Sequence, residues 1–395
     1  MKYANQYVKS AIQLLQAYDG AVPLAVFLKK YFAQHKKFGS KDRKSIAGLC
    51  YNYFRLGKAA QQLSIEDAIK IAVFLCNDAP GIWAALFDEH WLANWKSDLS
   101  ERISFVVENY STFYQNKVFP FEHQLSAEIA ATPFAQSHFI QPNLFLRLRP
   151  GKQKKVIAAL TNANIPFNEL SEGAIELPNS SKLEEIIIFD QDAVVQDWSS
   201  QKVGALLKQI DANKTLSVWD CCAASGGKSI MAKDVLENIN LIVSDIRSSI
   251  LHNLSQRFER AAIKQYKKLV IDLSNDHLLK DKMALPLPMA DLVIADVPCT
   301  GSGTWSRTPE QLFYFREEQI EVFQALQQKI ISNILPSVKA GGYLLYITCS
   351  VFKKENEANT VFIEEKSSLQ LLTQGVIKGY TNKADTMFAA LFQAK

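Results

Sequence analysis

The stretch LSVWDCCAASGGKS, residues 216–229, joins an apolar run to a turn with adjacent glycines. LSVW has the composition of a β-strand, and Gly226 and Gly227 come where the chain would enter a helix. Glycines at such a turn indicate that the backbone needs a positive φ or approaches a ligand closely. The stretch ends in Gly-Lys-Ser, as a nucleotide-phosphate loop does, so its ligand has to be established.

Neither familiar nucleotide motif fits this stretch. A phosphate loop requires Gly-x-x-x-x-Gly-Lys-Ser, and Cys222 stands where its first glycine should be. A dinucleotide fingerprint requires three spaced glycines, whereas only Gly226 and Gly227 are present here. The turn therefore indicates a ligand other than ATP or NAD.

A regular succession of apolar runs predicts the fold around this turn. The runs LSVW, NLIVS, KLVI and DLVIA each stop at or just before an aspartate, and a further run, YLLYIT, stops at Cys349. The aspartates are Asp220, Asp245, Asp272 and Asp296. Their spacing suits one strand, one helix and two connections, which predicts an α/β, Rossmann-like, doubly wound and mostly parallel sheet with helices on both faces. The acids at 245, 272 and 296 and the thiol at 349 would then converge on one crevice.

The predicted crevice suits S-adenosylmethionine. Acids at successive strand ends match ribose hydroxyls and an amino group, and they would repel a triphosphate. A carboxylate beside Gly226 and Gly227 would be favoured by the helix terminus and by Lys228. S-adenosylmethionine carries a carboxylate, an ammonium, a ribose and a sulfonium but no phosphate, so we expect it as the cofactor.

Two cysteines suggest the reaction. Cys299 in DVPCTGSGT and Cys349 in TCS each follow a predicted strand. A single buried cysteine is more often a small core residue, but two at neighbouring strand ends favour a site. A thiolate added to cytosine C6 makes C5 an enamine carbon that can attack a methyl donor, and a base must later remove the C5 proton. The residues alone leave open which cysteine is the nucleophile.

Four segments resemble the RsmB/Sun (Fmu-like) family of RNA cytosine-C5 methyltransferases. They are DCCAASGGKS, SDIRSSIL, ADLVIADVPCTGSGTWSR and GGYLLYITCSVFKKENE. Upstream, QPNLFLRLR and VVQDWSSQKVGALL are similar to the family's small RNA-binding subdomain and its bridge to the catalytic domain. SKDRKSIAGLCYNYFR resembles its helical, NusB-like N-terminal domain, and DTMFAALFQAK resembles the last strand of its sheet.

The resemblance implies a role for each matching residue. Cys349 would be the nucleophile at cytosine C6, Cys299 the second thiol that assists product release, and Asp296 the acid at cytosine N3. The cofactor would be held by the turn and the acids that follow it: Cys222, Ala223, Ala224, Ser225, Gly226, Gly227, Lys228, Asp245, Arg247, Asp272 and Asp296.

The chain departs from the family pattern at three places. Ser225 replaces the usual proline, from which we expect a looser turn that keeps its backbone donors. Leu148-Arg149 stands where the family has Val-Asn, so this RNA-facing segment departs from the family pattern. Asp272 is followed by Leu273-Ser274, a weak match to the third motif, so its cofactor contact is the least specific.

Composition excludes several classes of protein. The chain has 395 residues, is 48% hydrophobic and carries a formal charge of +4, as an ordinary globular protein does. Its first residues lack a long apolar run, so we expect neither a signal peptide nor a membrane span, and we expect it in the cytoplasm. Its cysteines contain no Cys-x-x-Cys pair, so we expect reduced thiols and no metal.

Three domains are predicted. Residues 1–130 form a helical NusB-like RNA-binding domain, residues 131–200 a small α+β RNA-binding subdomain, and residues 201–395 the methyltransferase domain. The segment 29–44 contains seven Lys or Arg, which suit either a solvated helix face or phosphate contacts. In the small subdomain, AIELP and EEIIIF have the composition of strands, KKVIAALTNANI that of a helix, and the arginines are expected to be surface charge.

The expected function is S-adenosylmethionine-dependent methylation of cytosine C5 in RNA, with 16S rRNA as the substrate that the resemblance implies. Transfer RNA is the alternative substrate, and we expect a monomer without membrane partners. The competing function is a non-catalytic RNA-binding or ribosome-assembly factor that retains the fold. A P-loop NTPase is less favoured, because the loop lacks its first glycine.

Overall fold

The structure is a computed structural model that describes residues 2–275 and 287–395. Its α-helices are α1 Lys2–Ala17, α2 Leu24–Gln34, α3 Ser40–Arg55, α4 Ile65–Cys76, α5 Glu89–Ala93, α6 Leu99–Asn109, α7 Ala131–Ser137, α8 Gln153–Asn162, α9 Trp198–Lys202, α10 Gly204–Leu207, α11 Gly227–Leu236, α12 Ser248–Arg260, α13 Pro309–Tyr314, α14 Gln319–Ile334 and α15 Glu357–Lys366. Its strands are β1 Leu144–Leu148, β2 Asn168–Glu169, β3 Ala174–Leu177, β4 Ala193–Val195, β5 Leu216–Asp220, β6 Ile239–Asp245, β7 Tyr266–Val270, β8 Ala290–Asp296, β9 Val338–Thr348, β10 Leu369–Ile377 and β11 Met387–Ala394.

The first compact unit is helical. It comprises Met1–His123, Ala130–Gln141 and Thr304–Glu317. Helices α1, α3 and α4 each turn an apolar stripe inward, and their buried side chains form one core with Phe74 fully enclosed. The helices predicted for residues 1–130 are therefore observed. Within the part of the chain that the structure describes, no helix is both long and apolar enough to span a bilayer.

The second unit contains a seven-stranded sheet. It comprises Gln124–Ile129, Pro142–Gly303 and Glu318–Lys395. The strand order is β10-β11-β9-β8-β5-β6-β7, in which β11 is antiparallel to both of its neighbours, β10 and β9, and the other neighbouring pairs are parallel. The predicted Rossmann-like, mostly parallel sheet is thus confirmed.

The central strands β5, β8 and β9 are buried on both faces, as their continuous apolar runs predict, whereas the edge strand β7 is largely exposed. Successive residues of β8 alternate between two cores: Leu292 and Ile294 pack with α11 and α12, whereas Val293 and Ala295 pack with α14 and α15. The helices therefore cover the sheet on both sides and leave the ends of its strands to form the site.

A small antiparallel sheet, in the order β2-β3-β1-β4, belongs to the same unit, and α8 packs on it. The strand predicted for EEIIIF, residues 184–189, is wrong. Leu183 and Ile187 are buried, but Ile188 is half exposed, and the amides of 186 and 187 donate to the carbonyl of Leu183, which is a turn. A short, unbroken apolar run has the same hydrophobic pattern in a strand as in a buried turn, so the pattern alone does not distinguish the two.

Arg147 of β1 and Arg149, which follows this strand, are not surface charge, contrary to expectation. Arg147 is buried and donates to Asp234 on α11, and Arg149 Nε donates to the same carboxylate at 2.9 Å. A shared acid therefore ties the small sheet to α11. Since Arg149 also donates to the carbonyl of Ala261, its side chain points into the protein.

Candidate active site

The candidate site lies at the carboxyl edge of the large sheet, where the strand order reverses. From β5 the chain adds β6 and β7 on one side, and then β8 and β9 on the other. The connections 221–226 and 297–301 therefore leave neighbouring parallel strands at the same edge. In open α/β sheets this switch point is where ligands bind.

The turn after β5 has an uncommon backbone conformation. Ala224 has a φ of 44° and Gly226 a φ of 84°. A Cβ added to Gly226 would lie 2.6 Å from a ring carbon of Phe258, so the site requires glycine. The amide of Ala224 donates to the Asp245 carboxylate at 3.1 Å. Because the first N–H groups of α11 have no acceptor within the helix, this end of α11 favours a carboxylate or another anion.

Lys228 meets an acid of the chain itself. Its side chain is buried, and its Nζ donates to Asp296 at 3.0 Å and to the Ser200 hydroxyl at 2.8 Å. A lysine neutralised in this way is a poor partner for a phosphate. The pairing agrees with a role in ordering the acids of the site.

Asp245 is the last residue of β6, and Asp272 lies two residues beyond the end of β7. Asp245 accepts from the Arg247 backbone at 2.9 Å and from its guanidinium at 3.0 Å. Burial raises the pKa of Asp245, but the donors of Arg247 and Ala224 outweigh it and hold the pKa below its usual value. Asp272 is exposed and accepts from the amide and hydroxyl of Ser274 at 2.9 and 2.6 Å.

Two cavities that share wall residues contain most of the predicted site. The larger has a volume of about 470 Å³, and the predicted residues on its wall are Cys222, Ala224, Asp245, Arg247, Asp272, Asp296, Cys299 and Cys349. The smaller has a volume of about 300 Å³, and those on its wall are Cys222, Ala223, Ala224, Ser225, Gly227, Lys228 and Asp296. Gly226 lines neither cavity and instead packs against Phe258 and Leu254.

The two predicted thiols form a close pair. Cys299 Sγ lies 3.2 Å from Cys349 Sγ, and neither is in a disulfide. The neighbouring Cys349 sulfur and burial raise the pKa of Cys299 well above its usual value. The structure thus brings the two predicted thiols together on the wall of the larger cavity. Of the adjacent cysteines after β5, Cys221 is buried in the core and Cys222 reaches both cavities.

Glu355 accepts hydrogen bonds from the residues that follow Cys299 and Cys349, a role that the sequence analysis did not predict. It accepts from the Thr300 amide at 2.9 Å, from the Thr300 hydroxyl at 2.6 Å and from the Ser350 hydroxyl. Burial raises the pKa of Glu355. Because Thr300 follows Cys299 and Ser350 follows Cys349, this one acid fixes the chain beside both thiols. The Glu-Asn-Glu in the quoted stretch KKENE was the available signal.

Asp220, the last residue of β5, is a fully buried acid. It has no exposed surface, accepts from the Ser229 hydroxyl at 2.5 Å and lies on the wall of the smaller cavity. Burial raises its pKa to about 7. Among the described residues, no group of His, Cys, Asp and Glu side chains is arranged to hold a metal ion.

Comparison with known proteins finds relatives among the ribosomal RNA methyltransferases. Residues 206–391 match the model of the family described as 16S rRNA methyltransferase RsmB/F. Ribosomal RNA small subunit methyltransferase B of Shewanella oneidensis is 30% identical over 226 residues, which are 56% of this chain and 50% of that protein. The chain spans about half the length of the curated relatives that it matches.

Solved structures share the fold. The crystal structure of PH0851 has a TM-score of 0.70 at 18% identity and covers 100% of this chain and 98% of its own. NSun6 from Pyrococcus horikoshii, solved with SFG, has a TM-score of 0.55 at 15% identity and covers 64% and 91% of the two chains. The resemblance inferred from the sequence motifs is confirmed: residues 206–391 of this chain match the RsmB/F methyltransferase family, and the curated relatives that match are ribosomal RNA methyltransferases.

Proposed function

We propose that this protein is an S-adenosylmethionine-dependent RNA methyltransferase that modifies cytosine C5, with small-subunit ribosomal RNA as its substrate. The observation that carries the proposal is the pair of thiols 3.2 Å apart on the wall of an acid-lined cavity. The names of the family and of its curated relatives support ribosomal RNA as the substrate.

The residues of the two cavities fit this cofactor. The exposed carboxylate of Asp272 and the Asp245 carboxylate suit ribose hydroxyls and an ammonium group. The amide end of α11 suits a carboxylate. Four acids at or near these strand ends and one neutralised lysine are a poor environment for a triphosphate, which argues against an NTPase. When bound, S-adenosylmethionine supplies the methyl group that C5 takes.

Cys349 is proposed as the nucleophile. Its thiolate gives an electron pair to C6 of the cytosine, and the C5=C6 pair moves toward C5, which makes C5 nucleophilic. That pair forms the new C5–methyl bond. A base then removes the C5 proton, the C5–H pair forms C5=C6, and the Sγ–C6 pair leaves with the Cys349 thiolate. The family resemblance assigns this role to Cys349.

Cys299 and Asp296 are proposed as the assisting groups. With its sulfur 3.2 Å from the nucleophile, Cys299 can donate a proton to the departing Cys349 thiolate. Asp296 would stabilise the adduct at cytosine N3, and its ion pair with Lys228 would orient the carboxylate. Glu355 would keep the two thiols close to each other through its hydrogen bonds with Thr300 and Ser350.

RNA must present the cytosine outside its stack. Stacking in an RNA duplex blocks attack at C6, so the cytosine must lie in a loop or a bulge or be flipped out of the duplex. A cytosine in a loop has the smallest free-energy cost of unstacking. The exposed lysines of segment 29–44 would hold the surrounding RNA by its phosphates.

A labelling assay tests the proposal. The protein is incubated with methyl-labelled S-adenosylmethionine and either 16S rRNA or transfer RNA, and the RNA is then digested to nucleosides. Label in 5-methylcytidine from 16S rRNA alone is expected, and Cys349→Ala is expected to remove it. Cofactor binding without label in any RNA would favour the non-catalytic RNA-binding factor. Binding of ATP but not of S-adenosylmethionine would revive the NTPase.

A further inference from the structure

Ser225 is held by a side chain from a different element. It stands at the position where the related sequence pattern has proline. Arg257 on α12 donates one guanidinium nitrogen, Nη1, to the Ser225 carbonyl at 3.0 Å and to the Ser225 hydroxyl at 2.9 Å. The turn predicted to be looser without proline is therefore bound at its backbone and at its side chain.

The orientation of Arg257 is fixed from the other side by a buried acid. Its Nε and Nη2 donate to one oxygen of Asp190 at 3.0 and 2.7 Å. The other oxygen of Asp190 accepts from Arg260 Nε and Nη2 at 3.1 and 2.8 Å. Asp190 is only 3% exposed. A carboxylate gripped by two forked guanidinium groups leaves Arg257 little freedom to rotate, so its Nη1 stays aimed at Ser225.

This contact lies at the predicted cofactor turn. Arg257 and Ser225 both line the smaller cavity, together with Ala224 and Gly227. Proline would restrict the turn by locking its own φ near −65°. Arg257 achieves a similar restriction through hydrogen bonds, and it leaves the serine amide in place.

We propose that Arg257 is a positioning residue that replaces the missing proline by holding the turn 223–227 in the shape that binds the carboxylate end of S-adenosylmethionine. The inference rests on the proposed function, because it assigns this turn to that cofactor. Arg257 acts through Ser225, and Asp190 acts through Arg257.

The alternative role for Arg257 is a structural tie between α12 and Asp190. A structural tie would affect the stability of the protein without any special dependence on residue 225. The two roles differ in one respect: a positioning residue becomes dispensable when proline itself is restored.

The experiment is a double-mutant cycle on the full chain, with the dissociation constant for S-adenosylmethionine measured by equilibrium dialysis. Arg257→Gln is expected to weaken binding at least tenfold. In the Ser225→Pro background, the same substitution is expected to change binding less than threefold. Arg260→Gln, which also loses a contact with Asp190 but does not touch Ser225, serves as the matched control with an expected effect below threefold.

The outcomes separate the two proposals. If the wild-type chain does not bind S-adenosylmethionine, the proposed function fails. If it does bind, and Arg257→Gln has the same effect with and without Ser225→Pro, the positioning role is overturned. If Arg257→Gln does not fold, Ser225→Gly takes its place: a loss of threefold or more supports the inference, and unchanged affinity overturns it.

Discussion

Asp220 illustrates how burial changes the chemistry of a single residue. An unfolded aspartic acid has a pKa near 3.9, whereas burial raises the pKa of Asp220 to about 7 in the fold. The folded state therefore binds this proton more tightly. The stability that the proton contributes is fully present below pH 4 and is lost as the pH rises through 7.

Asp220→Asn removes this pH dependence. Between pH 5 and pH 8, the free energy of unfolding of the wild-type chain is expected to fall, relative to that of the variant, by about 2 to 3 kcal/mol. Urea unfolding at both pH values measures the difference. A difference that does not change with pH would contradict a raised pKa at Asp220.

Asp291 provides a control of opposite sign. Burial acts to raise its pKa, but the Ser217 amide and the ammonium groups of Lys339 and Lys214 outweigh burial and lower it to about 2. Its contribution to stability is present above the unfolded pKa and is lost only as the pH falls toward 2. The effect of Asp291→Asn on the free energy of unfolding should therefore be the same at pH 5 and pH 8.

At the scale of elements, the turn at Gly303 joins three parts of the second unit. Its amide donates to the Cys349 carbonyl and its carbonyl accepts from the Thr386 amide, both at 2.9 Å. A Cβ at this position would lie 1.9 Å from the Thr386 carbonyl oxygen and 3.1 Å from that of Cys349. The backbone beside a proposed catalytic thiol thus depends on the absence of a side chain.

Gly303→Ala is expected to lower the free energy of unfolding by about 3 kcal/mol or more, because the added methyl group meets backbone rather than a movable side chain. Urea unfolding without cofactor measures it. Gly227→Ala is the matched control: its Cβ would have no neighbour within 4 Å, so a change below about 1 kcal/mol is expected. Equal losses in the two variants would contradict the steric explanation.

The sequence pattern correctly predicted the regularly spaced strands of the large sheet, but it did not predict segments whose structure is decided by contacts with other parts of the chain. Apolar runs ending in acids predicted four strands of the large sheet, β5, β6, β7 and β8, because parallel strands packed between helices are rich in apolar residues, although the edge strand β7 is largely exposed. The run at 184–189 was wrongly predicted to be a strand. In the structure a turn is enough to bury Leu183 and Ile187. Contacts with neighbouring elements decide such a case, and a local pattern does not contain them.

The same limit applies to the site. The acids and thiols that follow strands could be placed at one edge, because topology alone brings them together. Glu355 and Arg257 could not be assigned their contacts in this way. Thr300 lies 55 positions from Glu355, and Asp190 lies 67 positions from Arg257, so only the folded chain brings each pair together.

For the whole molecule, the basic segment 29–44 carries a prediction about RNA. Lys36, Lys37 and Lys41 are exposed in the helical unit. Replacing all three with alanine is expected to weaken RNA binding and to reduce the slope of log K against log salt by about 2, since each phosphate contact to single strands contributes about 0.7. Filter binding between 50 and 200 mM salt, as an order-of-magnitude range, measures the slope.

A second triple variant controls for net charge. Replacing Lys264, Lys267 and Lys268, near and on β7, with alanine removes the same charge from another exposed surface. Its effect on the slope is expected to be smaller. If the two triple variants change the slope equally, the segment 29–44 has no particular role in RNA binding.

The central claim is that Cys349 attacks the cytosine and Cys299 assists its release, and a covalent adduct tests it most directly. Each cysteine is replaced with alanine in the full chain, and each variant is incubated with 16S rRNA and S-adenosylmethionine. Denaturing gels and peptide mass spectrometry then locate any attached cytidine. The account predicts that Cys299→Ala accumulates an adduct at Cys349 and that Cys349→Ala forms none. An adduct at Cys299 in the Cys349→Ala variant, with none in the other, would contradict it.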